Sequence, residues 1–197
     1  MAVDRIDIET NVKEETLVRQ ARQGDLKSFS ALVGRYQEQA IHAAYSFLGN
    51  FEDARDVAQE AFLKAYQNSS HFDGRSRFYT WFYRILVNRC KDFLRKKKAR
   101  PWILFWKDRH EEGALDPFES IPASGRNALE ELVDQEIEMG IWKALNGLPF
   151  QQRSVFTLRY LEGLKLEEIA ESLSLSVGAV KAHLWQAGQK MKKRLSS

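Results

Sequence analysis

The sequence predicts an all-α protein built as two small helical domains joined by a flexible linker. Three observations carry this. Apolar residues recur at helical spacing through most of the 197 residues, and no stretch alternates convincingly as a strand would. Only 11 Gly and 4 Pro are present, too few for a turn-rich β architecture. Pro101, Gly113, Pro117, Pro122 and Gly125 gather in one stretch, so residues 101–127 read as a linker between a domain over 1–100 and a second over 128–197.

The elements follow in order. Gly24-Asp25 closes a short first helix and opens a long one, which runs to a stop at Gly49-Asn50. A third helix fits Glu52 to about Asn68. The polar run Asn68-Ser69-Ser70 leads into the loop His71-Phe72-Asp73-Gly74-Arg75, and Ser76 is the candidate N-cap of a long helix through Arg100, ended by Pro101. In the linker, Trp102-Ile103-Leu104-Phe105-Trp106 is too short to span a bilayer and is expected to pack on a neighbouring domain. Asn127 and Glu130 have the spacing of a capping box and start the second domain. There Gly147-Leu148-Pro149, Glu162-Gly163 and Ser174-Leu175-Ser176 separate four short helices.

Composition narrows the function. Hydrophobic residues at 44% and charged residues at 29% describe a soluble globular chain. No apolar run approaches the roughly 18 residues of a membrane span, and Met1–Glu9 is acidic without an apolar signal core. Cys90 is the single cysteine, which excludes an intramolecular disulfide and a thiolate zinc cage. A cytoplasmic protein without cofactor, metal or membrane insertion is expected. Cys90 falls on the apolar half of its helix and is expected to be an inert packing residue. The four histidines are scattered, and no paired carboxylates, P-loop or nucleophile elbow appear, so neither an enzyme nor a small-molecule substrate is expected.

The net charge of +3 hides strong segregation. Residues 75–100 hold 10 basic and 1 acidic side chains, and residues 151–197 hold 8 and 4; the segments before and between them are acidic. Two basic blocks suggest two contact points on a polyanion. In the first block Arg77, Arg84, Asn88, Lys91, Arg95 and Lys98 fall within about 80° of helical arc, with Trp81 at the edge. Phe78, Phe82, Leu86, Phe93 and Leu94 take the other side. A cationic stripe with an aromatic and an amide suits single-stranded nucleic acid: cations track phosphates, rings stack bases, and an amide reads an edge. Trp81 is equally suited to the core. The loop at Phe72 sits where a pocket for an unstacked base could form, with Asn88 and Phe72 expected to capture that base.

Leu164–Leu195 has the layout of a helix-turn-helix. On its second helix Val177, Val180, Leu184, Ala187, Met191 and Leu195 share the core arc. Gly178, Ala182, Trp185, Gln186, Gln189 and Lys193 lie opposite, flanked by Lys181 and Lys192 on one edge and His183, Lys190 and Arg194 on the other. Ser176 can cap its start, Gly178 lets it approach a sugar-phosphate wall, Gln186 can pair with adenine, and Trp185 can touch a thymine methyl. The Glu52–Asn68 helix carries Asp53, Asp56 and Glu60 within about 60° of one another, with Gln59 and Leu63 beside them. The apolar Leu63 on that polar face marks a protein-binding surface.

Three motifs in order resemble those of the extracytoplasmic-function sigma factors of bacterial RNA polymerase: Asp53-Ala54-Arg55-Asp56-Val57-Ala58-Gln59-Glu60-Ala61-Phe62, the run Phe78–Ile85 through Asn88, and Glu167-Glu168-Ile169-Ala170 with Gly178-Ala179-Val180-Lys181. The resemblance spans about residues 14–100 and 128–197. It implies that residues 1–100 are sigma domain 2, which binds core polymerase and melts the minus-ten element, and that 128–197 are sigma domain 4, which reads the minus-thirty-five element. It also implies that the acidic helix grips the clamp helices of the largest polymerase subunits, that Arg153 joins the upstream DNA-binding set, and that an anti-sigma factor is a partner. The chain departs from the family at His183, Gln186 and Gly188, where arginines are usual, and at Lys165, where a capping Ser or Thr is usual. Two alternatives remain: a sigma-like decoy for an anti-sigma factor, and a LuxR-type regulator, which Lys181-Ala182-His183-Leu184 resembles.

Overall fold

The computed structural model describes residues 14–99 and 140–196. Among them every regular element is helical: α1 (14–22), α2 (Leu26–Leu48), α3 (Phe51–Gln67), α4 (Phe78–Ala99), α5 (140–146), α6 (Phe150–Phe156), α7 (Leu166–Leu173) and α8 (Val177–Leu195). A single 3-10 turn, Ser69–His71, follows α3, and α6 runs on into a wide π-type turn over Thr157–Leu161. The expected Asn127–Glu130 capping box, the end of α4 at Pro101 and the apolar Trp102–Trp106 run lie outside the described residues.

Local chemistry explains the boundaries. Asp25 accepts from the Ser28 amide at 2.9 Å and starts α2; Asn50 accepts from Asp53 N at 2.8 Å and starts α3. Between them Gly49 takes the left-handed conformation at φ +69° and returns its N–H to Tyr45 O. The fourth helix starts slightly later than expected. Its first backbone bond runs from Trp81 N to the Arg77 carbonyl, so Arg77 holds the cap position and Ser76 lies one residue before it. At α7, Lys165 has no side-chain acceptor to offer, and only the Glu168 half of a capping box forms, Glu168 Oε2 accepting from Lys165 N at 2.8 Å.

The first four helices pack Leu32, Phe47, Phe82, Tyr83 and Leu86 into a core sealed by stacked Phe62 and Phe82, whose centroids lie 4.3 Å apart. The second unit does not stand apart from it. Val155, Leu158, Leu164, Ile169 and Val180 belong to the same buried cluster, while Ala144, Leu145, Leu148, Ala187 and Met191 form a smaller one between α5 and α8. Phe150 meets Phe47 at 5.7 Å between centroids and Trp142 meets Tyr45 at 5.1 Å. Ser46 and Thr157 share a buried hydrogen bond at 3.0 Å, Ser172 Oγ donates to the Thr80 carbonyl at 2.9 Å, and Tyr83 donates to Glu162. Two domains separated by a linker in sequence are one packed body in space.

Gly49 stands at this junction: a Cβ there would come within 3.2 Å of the Asn146 amide. Gly49→Ala is therefore expected to cost the left-handed strain of about 1–2 kcal/mol and also to shift Asn146. Gly24→Ala, at φ +90° with nothing within 4 Å, should cost only the strain. Chemical denaturation of the two variants, read side by side, checks the difference.

Candidate nucleic-acid and polymerase interface

Three surfaces carry the candidate chemistry. On α4, the Phe78, Phe82 and Leu86 positions are buried, so Arg77, Arg84, Asn88, Lys91, Arg95 and Lys98 are turned to solvent along one face. Trp81 is half-buried at the edge of this stripe. Arg95 pairs with Asp92 at 3.2 Å, and Arg77 reaches Glu168 of α7 at 3.9 Å; both pairs are exposed enough to be weak.

Beside the start of the stripe opens a pocket of about 520 Å³, lined by Glu14, Arg19, Arg22, Phe72, Arg75 and Arg77 among others. Phe72 forms part of its wall but is only 3% exposed, packed edge-on against Phe78 and tilted against Trp81 at 5.0 Å. Phe72 is therefore not a free stacking ring in this structure. Asn88 is not part of the lining and lies about 10 Å along the helix from Trp81. The expected pairing of Asn88 and Phe72 around one cavity is thus not formed here: the two stand apart along the aromatic edge of the stripe. Sequence reasoning missed Arg19 and Arg22, because nothing in an isolated amphipathic helix says which loop its cations will face.

On α3, Asp56, Gln59, Glu60 and Leu63 are exposed, Leu63 at 60%. Asp53 departs from the expected acidic face. It is 8% exposed and pairs with Lys97 at 3.2 Å, so it ties α3 to the end of α4. Lys97 also lies over the Phe93 ring.

On α8, Ser176 Oγ accepts from Ala179 N at 3.1 Å and caps the helix after a three-residue turn in which Ser174 adopts φ +54°. Val180, Ala187 and Met191 are buried as the periodicity predicts; Leu195 is not. Gly178, Lys181, Ala182, Trp185, Gln186, Gln189 and Lys190 face solvent, and Trp185 is 69% exposed. His183 is half-buried, with Nδ1 enclosed and unpartnered. Arg194 turns back to the Ala144 carbonyl at 3.0 Å. Arg153 is the main correction. It is 9% exposed on α6, donates to Asn146 Oδ1 at 3.0 Å and keeps Nε without a partner. Burial works against its charge, and in this packing it offers nothing to DNA. Short α6 has too few turns to show a buried face in the sequence. Cys90 is fully buried, and burial pushes its thiol up, consistent with a packing role.

The comparisons agree with this architecture. The sigma-70 region 2 model matches residues 32–100, and the sigma-70 region 4 model matches 138–191. The chain is 34% identical over 180 residues to the ECF RNA polymerase sigma factor SigW of Bacillus subtilis, covering 90% of this chain and 94% of that one. To the ECF RNA polymerase sigma-E factor of Escherichia coli K12 it is 33% identical over 181 residues, 88% of this chain and 90% of the relative. Among solved structures, CnrH in complex with the cytosolic domain of CnrY superposes with a TM-score of 0.67 at 25% identity, over 93% of this chain and 97% of that one. The sigma factor RpoE from Bartonella quintana, solved with the anti-sigma factor NepR, shares the fold at a TM-score of 0.63 and 21% identity, over 87% and 98%.

The junction between the units carries a titrating group. Burial raises the Glu162 carboxyl to about 7 even though Tyr83 donates to it. Tyr79 and Tyr36 and, beyond them, Glu168, Arg77 and Glu14 are among the other charged or titratable groups nearby. A carboxyl raised in the packed state binds a proton that the unfolded chain releases near 4.5. Its stabilising contribution is complete below that value, falls as pH rises toward 7, and is gone above it. Discounted for partial exposure, the swing is about 1–3 kcal/mol. Thermal midpoints should decline between pH 5 and 7, and Glu162→Gln should flatten that decline.

Proposed function

The chain belongs to the extracytoplasmic-function group of RNA polymerase sigma factors, and we propose how its surfaces divide the work of an alternative sigma factor directing transcription initiation. It is an initiation factor and not an enzyme; the bond-making step belongs to the polymerase. The observation that carries the division is the exposed cationic stripe of α4, interrupted by Asn88 and flanked by Trp81.

In this reading residues 1–100 bind core polymerase and open the minus-ten element. Asp56, Gln59, Glu60 and Leu63 of α3 meet the largest subunits, while Asp53 holds α3 in place for them. Arg77, Arg84, Lys91 and Arg95 hold the displaced strand, and Asn88 offers both a donor and an acceptor to an unstacked base. Extruding a base costs a few kcal/mol, and one stacking contact returns about 1–3 kcal/mol, so a lone pocket would barely break even. The stripe supplies the rest. Phe72 joins only after its loop has moved it off Phe78 and Trp81. Residues 128–197 read the upstream element through α8: Trp185, Gln186 and Gln189 meet base edges, with Gly178, Ala182 and His183 close to the groove and Lys181 and Lys190 near the backbone. Arg153 supports Asn146 in the packed state and becomes available to phosphate only if the packing around it, Cys90 of α4 included, opens. An anti-sigma factor is the further partner, a proposal supported by the likeness to CnrH, which was solved with a cytosolic domain of a second protein. Among the described residues no helix is long and apolar enough to cross a membrane.

Run-off transcription with purified core polymerase, with and without the chain, tests the whole reading; transcription equal in both would end it. Asp56→Lys with Glu60→Lys should weaken holoenzyme assembly while helical content is unchanged, as native gel titration would show. Asn88→Ala should impair a duplex promoter far more than a template carrying a pre-melted bubble, and equal losses on both would remove Asn88 from base capture.

A further inference from the structure

The amide of Gln186 on α8 stands at the end of a short polar ladder. Lys190 Nζ donates to Gln152 Oε1 at 2.9 Å, and Gln152 Nε2 donates to Gln186 Oε1 at 2.7 Å. The two ends of a glutamine amide have nearly the same shape, so chemistry must decide which is oxygen. Here it decides without ambiguity. An ammonium has donors only, so the end of the Gln152 amide that meets Lys190 is oxygen. The other end of Gln152 is then the NH2 group, and the atom of Gln186 that meets it is again oxygen. Lys190 thus sets the polarity of both amides. Gln152 is buried at 8% exposure on α6, which restricts its rearrangement, whereas Gln186 and Lys190 are one turn apart on the exposed side of α8.

We infer that Gln152 is a specificity-positioning residue: by holding the Gln186 carbonyl toward α6 it makes the Gln186 NH2 the leading outward group, matched to an acceptor edge in the major groove. Guanine, with O6 and N7, fits best, and thymine O4 comes second. Adenine is disfavoured relative to its bidentate pairing with a free glutamine, because the oxygen that would accept from N6 is held toward Gln152 with one of its two lone pairs engaged. This rests on the reading of α8 as the helix that enters the major groove, and it replaces the adenine pairing that residue type alone suggests for Gln186. Gln152 touches no base; it acts through the direction in which Gln186 points its amide.

The test uses holoenzyme reconstituted from core polymerase and the full chain, transcribing a duplex promoter library randomised across the upstream element, with transcripts counted by sequencing. The unaltered protein should enrich guanine, then thymine, at one position, and Gln186→Ala should flatten that position by about 5- to 150-fold, the range of one good base contact. Gln152→Glu is the decisive variant. Its carboxylate still accepts from Lys190 but has no N–H, so Gln186 must turn its NH2 inward and present oxygen outward. Preference at the same position should then switch to the donor-bearing bases, cytosine and adenine. Gln152→Leu should admit adenine beside guanine. Lys190→Met, at an exposed site tolerant of change, should do the same even if the buried variants fold poorly. An unchanged preference in these three variants, at a position that Gln186→Ala flattens, overturns the positioning role and leaves the reading of α8 intact. Enrichment of adenine over guanine by the unaltered protein there overturns the outward NH2 edge. If Gln186→Ala flattens no position, the assignment of α8 as the base reader falls first and the inference with it.

Discussion

The Ser46 hydroxyl sits inside the contact between α2 and the π-type turn, bonded back to the Ala43 carbonyl at 2.7 Å and across to Thr157 Oγ1 at 3.0 Å. The packing of the second helical unit on the first turns on bonds of this kind. The Ser46 hydroxyl fills a local need in its own helix and has an acceptor lone pair left for the partner surface, whereas the nearby Thr80 hydroxyl is buried in the same seam without a partner. Ser172 to the Thr80 carbonyl and Tyr83 to Glu162 extend the pattern. Aromatic contacts at Phe47–Phe150 and Tyr45–Trp142 supply the apolar area around it.

The π-type turn is what brings Glu162 to this seam. Its wide backbone bond, from Glu162 N to Thr157 O, adds a residue to the helical register and re-aims the side chains that follow. Tyr160 and Leu161 are thrown outward, at 64% and 46% exposure, while Leu158 and Glu162 turn inward. Helix α4 is correspondingly three-sided. One face is core, one is the cationic stripe, and a third edge, Thr80 with Tyr83, is given to the second unit.

Much of this was readable before any coordinates. Spacing places the stripe of α4, the exposed face of α8 and its Ser176 cap, because amphipathic periodicity and capping are local properties. Gly49 and Asp25 mark their helix boundaries for the same reason. Long-range matters were not readable. Asp53 shares an arc with Asp56 and Glu60, yet it is withdrawn from solvent and paired with Lys97, 44 residues later. Arg153 looked like a surface cation until Asn146 and the neighbouring unit enclosed it. Phe72 looked like a loop aromatic, yet Phe78 and Trp81 take it into the core. The docking of the two units left one trace in the sequence: Ser46, Thr157 and Ser172 sit among apolar residues, where hydroxyls need partners.

The seam and the outward surfaces obey different laws of solution. Hydroxyl bonds and ring contacts between the units are nearly indifferent to dissolved ions; the Arg77–Glu168 pair, at 3.9 Å and on the rim, is the main exception. The roles proposed for the stripe of α4 and the acid face of α3 rest on charge, which ions screen over about 10 Å at 0.1 M. A rise in salt therefore weakens the contacts proposed with DNA and polymerase while the packing of one unit on the other keeps its strength. The ionic composition of the medium thus tunes the strength of the outward contacts without tuning that of the seam.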